Sequence, residues 1–162
     1  MNAVERIYLD TNAFYFFFFE SEEYSEGIGK IFTGIQKGRY SALTSAATLE
    51  ELAYVTLMRL AEKKYRKHPA EVLRDNRQAI GEFAETLKEM FDVIFSLKNI
   101  EFCDVDRELA GLLPLVMSEC LLLPQDSIHL QTMRRNDCKL IVSTDKDFDG
   151  VYGIKRIKPE EV

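Results

Sequence analysis

Apolar positions in this chain follow two different spacings, and the switches between them mark its elements. Short apolar runs suited to buried strands occur at Arg6–Leu9, Tyr40–Thr44, Ile100–Val105 and Lys139–Ser143, with a fifth expected at Val151–Ile157. Between them the apolar residues recur every three or four positions, which predicts helices. Asp10 and Thr11 are capping residue types, so a helix carrying the aromatic run Phe14–Phe19 is expected straight after the first strand. Such a run cannot face one way on a helix; most of it is expected in the core, with about two rings left for a partner surface. Ile28, Ile31, Phe32 and Ile35 outline a second helix. Ser45 opens a long one from Ala46 to about Lys67, with Leu49, Leu52, Leu57 and Leu60 along one face. His68-Pro69 interrupts it, because the residue before proline avoids helical geometry. Glu71–Phe95 then reads as one further helix, and Asp106 caps another through about Ser118 with a kink at Pro114. Pro124 opens the last, Gln125–Arg135. Strands alternating with helices predict an α/β three-layer sandwich, a central parallel sheet flanked by helices, as a single domain over residues 1–162.

Composition narrows the function classes. Twenty-seven Asp and Glu against 21 Lys and Arg leave a net charge of −6, which excludes a protein that grips nucleic acid by bulk positive charge. It leaves open one that handles phosphates through bound metal. Three cysteines, Cys103, Cys120 and Cys138, are expected as small core residues: they form neither a disulfide framework nor a thiolate zinc site. Two histidines, His68 and His129, are too few for a histidine-rich metal centre. The six-residue aromatic run falls far short of the roughly 20 apolar residues of a membrane span. Glu5 and Arg6 before a short apolar run do not read as a signal peptide, so a reducing cytoplasm is the expected compartment.

Acidic residues fall at strand ends and in adjoining helix turns, where α/β sheets place their active sites. Asp10 follows the first strand, Glu50 and Glu51 lie early in the helix after the second, Asp126 sits in the first turn after Pro124, and Asp145 and Asp147 follow the fourth strand. Each also has a plain structural explanation, as a cap, a solvated helix face or a polar loop. Together in one cleft they would repel one another unless protons or cations intervened. Carboxylates suit Mg2+ or Mn2+, which take oxygen ligands and keep water and substrate phosphate. A divalent-metal site for phosphodiester hydrolysis is therefore the expected chemistry.

The segments Ile7-Tyr8-Leu9-Asp10-Thr11-Asn12, Thr48-Leu49-Glu50-Glu51-Leu52, Asp126-Ser127-Ile128-His129-Leu130 and Ile141-Val142-Ser143-Thr144-Asp145-Lys146-Asp147-Phe148, in that order, closely resemble the PIN-domain family. The resemblance runs over roughly residues 5–158, and its last segment is the most specific. It implies four metal-binding acids, at Asp10, Glu51, Asp126 and Asp145, with Asp147 a fifth, less uniform position. Glu51 is preferred because it directly precedes the leucine that follows the acid in the family pattern; Glu50 stays as the alternative. Thr11, Asn12 and Thr144 match polar residues that line the site. The implied activity is a Mg2+- or Mn2+-dependent endoribonuclease of the VapC-type toxin kind, with RNA as substrate, an antitoxin as partner and a homodimer as the expected assembly. The aromatic helix is expected to supply part of the dimer interface. Two departures stand out. Residues 58–95 form a helical extension longer than the family's compact helical pair, and Leu121-Leu122-Leu123 replaces small or polar residues before the third acid.

Seven basic residues against three acidic ones between Arg59 and Arg77 suggest a surface for flanking phosphates, with Lys63, Lys64, Arg66 and Lys67 its centre. A solvated helix face is the alternative. His129 shares a helical face with Asp126 and is expected as a packing or supporting residue. A non-catalytic PIN-like RNA-binding or scaffold domain would be expected to lack acidic positions that are present here. A haloacid-dehalogenase-like phosphatase needs a second Asp two residues after the first, where Asn12 stands.

Overall fold

The computed structural model describes residues 4–162. Strands β1 (Glu5–Leu9), β2 (Tyr40–Ser45), β3 (Ile100–Cys103), β4 (Leu140–Val142) and β5 (Lys155–Ile157) pair in parallel in the order β3-β2-β1-β4-β5. The helices between them are α1 (Thr11–Phe18), α2 (Ser25–Gln36), α3 (Ala46–Tyr65), α4 (Pro69–Asp75), α5 (Gln78–Ser96), α6 (Arg107–Gly111), α7 (Leu113–Cys120) and α8 (Pro124–Arg135). The fold is thus the expected α/β arrangement, a five-stranded parallel sheet flanked by helices. No helix among the described residues is long and apolar enough to cross a membrane.

Two compact units divide the chain: the residues up to Leu49 with Lys98–Val162, and Glu50–Leu97. The first holds the sheet. Its strand order reverses direction at β1, from which β2 and β3 extend to one side and β4 and β5 to the other. That reversal opens a crevice at the carboxyl ends of β1 and β4, the place where open α/β sheets bind ligands.

Alternation along the strands sorts the core. Tyr8, Leu43 and Ile141 stand side by side in register and pack with Val116, Leu122, Leu130, Met133, Phe148 and Val151, all buried. Ile7 and Leu9, one residue either side of Tyr8, must face the opposite way. On that side α1 and α2 meet through Phe14 and Phe32, whose ring centroids are 5.7 Å apart. Gly27 on α2 is required by a close approach: a Cβ there would lie 1.7 Å from the carbonyl oxygen of Pro159.

The second unit is helical. Ala61, Val72, Ala79 and Phe83 form its buried cluster, with Leu57, Leu60, Tyr65 and Leu73 packed against it.

Several expectations are corrected. Glu71–Phe95 is not one helix: α4 stops at Asp75, Asn76 leaves helical geometry at φ −124° and ψ 79°, and its side-chain amide donates to the Tyr65 hydroxyl at 3.1 Å. Pro114 does not kink one helix but stands in the first turn of α7, where its missing N–H costs nothing. Val151–Ile154 is a turn rather than strand, closed by the Ile154 N–H donating to the Val151 carbonyl at 3.2 Å. The aromatic run is less buried than expected: Phe14 is inside, while Tyr15–Phe19 are half-buried. An eight-residue helix turns only one flank to the sheet, so these rings stack on one another and on neighbours, as in Phe17 on Phe32 at 4.4 Å and Phe16 on Tyr24 at 4.7 Å. Cys138 is buried as expected, but Cys103 and Cys120 are only half-buried; all three are free thiols.

Candidate metal centre

Asp10 ends β1 and caps α1. Its Oδ1 accepts the Thr11 N–H at 2.7 Å, which satisfies an orphan donor of the helix start. The same carboxylate is almost wholly buried, at 4% exposure, and such a group needs more than one partner. Ser143, at the end of β4, donates its hydroxyl to Asp10 Oδ2 at 2.5 Å. That Ser143 oxygen also accepts the N–H of Asp145 at 2.9 Å, so one buried hydroxyl ties the β1 acid to the loop carrying the fourth acid.

That loop is held from three directions. Asp145 Oδ1 accepts the Asp147 N–H at 2.8 Å and so caps the 3-10 turn Lys146–Gly150. Phe148 drives the turn into the core at 0% exposure. Arg156, from β5, forks onto both oxygens of Asp149 at 2.8 Å each and donates to the Ser143 carbonyl at 3.1 Å. The Arg156 guanidinium in turn holds the Asp149 carboxyl below the usual carboxylate range.

Asp126 reaches this loop from the first turn of α8. One carboxylate oxygen each from Asp126, Asp145 and Asp147 lie within 4.8 Å of one another. Asp126 and Asp145 are half-buried and Asp147 is exposed, so the cluster is open to water on one side. Three anionic oxygens this close are a hard-donor set for a divalent cation and are otherwise mutually repulsive. The donors present fit Mg2+ or Mn2+ and contain no thiolate that would favour a softer ion.

Of the residues singled out from sequence, Asp10, Thr11, Asp126, Asp145 and Asp147 are placed at the crevice or bonded to a residue that is. Asn12 and Thr144 are half-buried beside Thr11 and Asp145. Glu51 belongs to the second unit, on α3, where it is half-buried while Glu50 is exposed. Lys63, Lys64, Arg66 and Lys67 are all exposed there, but Lys64 is engaged by Glu82.

Three contributors, Ser143, Arg156 and Tyr8, carried no assignment from sequence, and His129 was expected there as a packing or supporting residue. Ser143 is the hinge between two acids, and its position one residue before Thr144-Asp145 was the available signal. Arg156 hides in a three-residue strand, where a buried charge implies a partner. Tyr8 and His129 are fully buried and bonded to each other, His129 Nδ1 lying 2.8 Å from the Tyr8 hydroxyl. The other ring nitrogen, Nε2, lies 3.4 Å from Asp10 Oδ1. Burial pushes the Tyr8 hydroxyl well above its ordinary pKa, so the phenol stays protonated.

Comparison with known proteins agrees with this fold. A family model for the PIN domain matches residues 7–154. Among solved structures the chain is similar to VapBC2 from Rickettsia felis bound to a DNA fragment from their promoter, at 14% identity over 94% of this chain and 97% of that one, TM-score 0.60. It is similar to a toxin–antitoxin complex from Klebsiella pneumoniae, at 15% identity over 94% and 97%, TM-score 0.56. It is also similar to Mycobacterium tuberculosis VapC20, a sarcin-ricin loop cleaving toxin, at 12% identity over 88% and 92%, TM-score 0.57. At these identities the likeness carries the fold. No curated protein sequence matches the chain.

Proposed function

The chain belongs to the PIN-domain family, and from that premise we propose that it is a divalent-metal-dependent endoribonuclease, the toxin of a toxin–antitoxin pair. The observation that carries this reading is the convergence of Asp126, Asp145 and Asp147 within 4.8 Å, at a loop tied through Ser143 to Asp10. A fold alone does not name a function, but an acidic site at the switch point of this fold does narrow it.

In this reading Asp10, Glu51, Asp126 and Asp145 hold Mg2+ or Mn2+, with Asp147 in support. Glu51 is assigned over Glu50 because Leu52 follows it and because it is half-buried where Glu50 is exposed. A bound ion supplies Lewis acidity and an acidified water for attack on phosphorus. The chain's own groups do the rest. Ser143 fixes the spacing of Asp10 and Asp145, and Thr11 fixes the rotation of the Asp10 carboxylate. Asn12 and Thr144 line the crevice with neutral donors and acceptors. Lys63, Arg66 and Lys67 hold flanking RNA backbone, with Lys64 contributing less because Glu82 already neutralises it.

An antitoxin is the proposed protein partner. Two of the similar structures are described as VapBC2 and as a toxin–antitoxin complex, which supports that choice. A homodimer is also proposed, with the half-buried rings of α1 in its interface. Light scattering at micromolar concentration should give twice the chain mass, and a monomer would remove that part.

The deciding assay is cleavage of a mixed RNA pool by purified protein with EDTA, Mg2+ or Mn2+. Cleavage should require the ion and disappear in Asp145→Asn. Undiminished cleavage in EDTA would show that the metal mechanism is wrong.

A further inference from the structure

Tyr8 and His129 sit at 0% exposure inside the sheet core, where Phe and Leu would satisfy packing alone. A buried phenol and imidazole must each find partners. The Tyr8 hydroxyl is hydrogen-bonded to Ser45 Oγ at 3.0 Å, Thr48 Oγ1 at 3.2 Å and His129 Nδ1 at 2.8 Å. Ser45 ends β2 and Thr48 lies in the first turn of α3, and their oxygens are 3.4 Å apart. A buried polar line thus runs from the β2–α3 junction, through a β1 tyrosine and an α8 histidine, to Asp10 Oδ1. It ends on the acid that the proposed function makes a metal ligand.

We propose that Tyr8 and His129 form a positioning pair that presents the Asp10 carboxylate to the metal ion. The proposal rests on the metal-site reading above. The phenol can turn its one proton toward Ser45 or toward Nδ1. With the phenol proton on Nδ1, the neutral ring carries its own proton on Nε2 and offers that N–H to Oδ1 at 3.4 Å. Oδ1 then faces the Thr11 N–H at 2.7 Å and His129, while Oδ2 takes the Ser143 hydroxyl at 2.5 Å. Donors on both oxygens stop the carboxylate from rotating about its Cβ–Cγ bond. Tyr8 does not touch Asp10's site; it acts by fixing the plane and height of the imidazole, with the two rings tilted 53° and their centroids 5.5 Å apart. A ligand held this way loses less freedom on binding an ion, and loss of such support costs 10- to 100-fold in metal affinity in comparable sites.

The test is Mn2+ binding to the full chain, followed by the loss of the free-ion EPR signal, with melting temperature recorded for every variant. Tyr8→Phe, which removes one oxygen, should weaken Mn2+ binding about tenfold in a protein that still folds. His129→Leu should weaken it further, and His129→Gln, whose amide can still donate toward Asp10, should recover part of the loss. If His129 served only as packing, Leu would equal or exceed Gln. Affinity unchanged from wild type in both Tyr8→Phe and His129→Leu, while Asp10→Asn loses binding, would overturn the positioning pair and leave the metal site standing. Unchanged affinity in Asp10→Asn would remove the metal-site reading itself, and this proposal with it. Nitrogen coupling of a directly bound imidazole in the pulsed EPR spectrum would overturn positioning in favour of a ligand role for His129.

Discussion

The two units of this chain bury their side chains by opposite rules. In the sheet unit the interior includes Asp10, Thr11, Ser45, Thr48, His129, Ser143 and Arg156, and most of their polar atoms are bonded to one another or to the backbone. In Glu50–Leu97 the only polar side chain buried among the described residues is Thr56, and the rest of the interior is apolar, from Leu52 and Ile94 to the cluster of Ala61, Val72, Ala79 and Phe83. An apolar core stabilises without specifying chemistry. A polar one is costly unless every member is satisfied, and it then fixes geometry. The sheet unit uses buried polar groups to orient carboxylates, while the helical unit keeps most of its charges on the surface, with half-buried Glu51 and Arg59 the exceptions.

The sharpest break of this comparison is Asp145→Asn. It should reduce RNA cleavage by more than about a hundredfold through loss of a metal ligand, while the melting temperature holds or rises as repulsion with Asp126 and Asp147 falls. Next is Phe83→Ala in the helical unit, which should cost about 3–5 kcal/mol in denaturant unfolding, mainly a packing loss beside the Lys64 ammonium 5.9 Å from the ring centroid, with no change in Mn2+ affinity. Phe83→Leu should cost far less, because the site stays filled.

A smaller effect concerns pH. Asp149 is held below its ordinary pKa chiefly by its hydrogen bonds to Arg156. A depressed folded value means the stabilisation is fully present above the unfolded pKa, about 4, and is lost as pH falls through the folded one. Melting temperature should therefore fall on the acid side, and Asp149→Asn should flatten that limb. A slope unchanged in Asp149→Asn would assign the acid sensitivity elsewhere. The smallest effect is expected from Lys63→Ala with Lys67→Ala. RNA affinity should drop a few-fold and the salt slope should fall by about 1.4, two phosphate contacts at 0.7 each. Lys64→Ala should do less than either, since its charge is shared with Glu82.

Much of this was legible before any coordinate. The apolar runs located the strands, the fifth only in the second half of its run, and Asp10 and Pro124 located the starts of α1 and α8, because these signals are local. The acids stood out because chemistry restricts which residue types can hold a hard cation. The helix breaks at Asn76 and Leu112 escape the pattern, because the apolar periodicity continues across them.

What the sequence determined by itself is therefore the set of parts: strands, helices, a family pattern and a short list of carboxylates. Only the tertiary structure decided which parts touch. Ser143 and Asp10 are separated by 133 positions, and Tyr8 and His129 by 121, so no periodicity or motif could pair them. Parallel strands force this separation, because each return to the sheet requires a crossover of a dozen residues or more. The same constraint brings the carboxyl ends of β1 and β4 side by side and lets a serine and a histidine, bland in sequence, close on one aspartate.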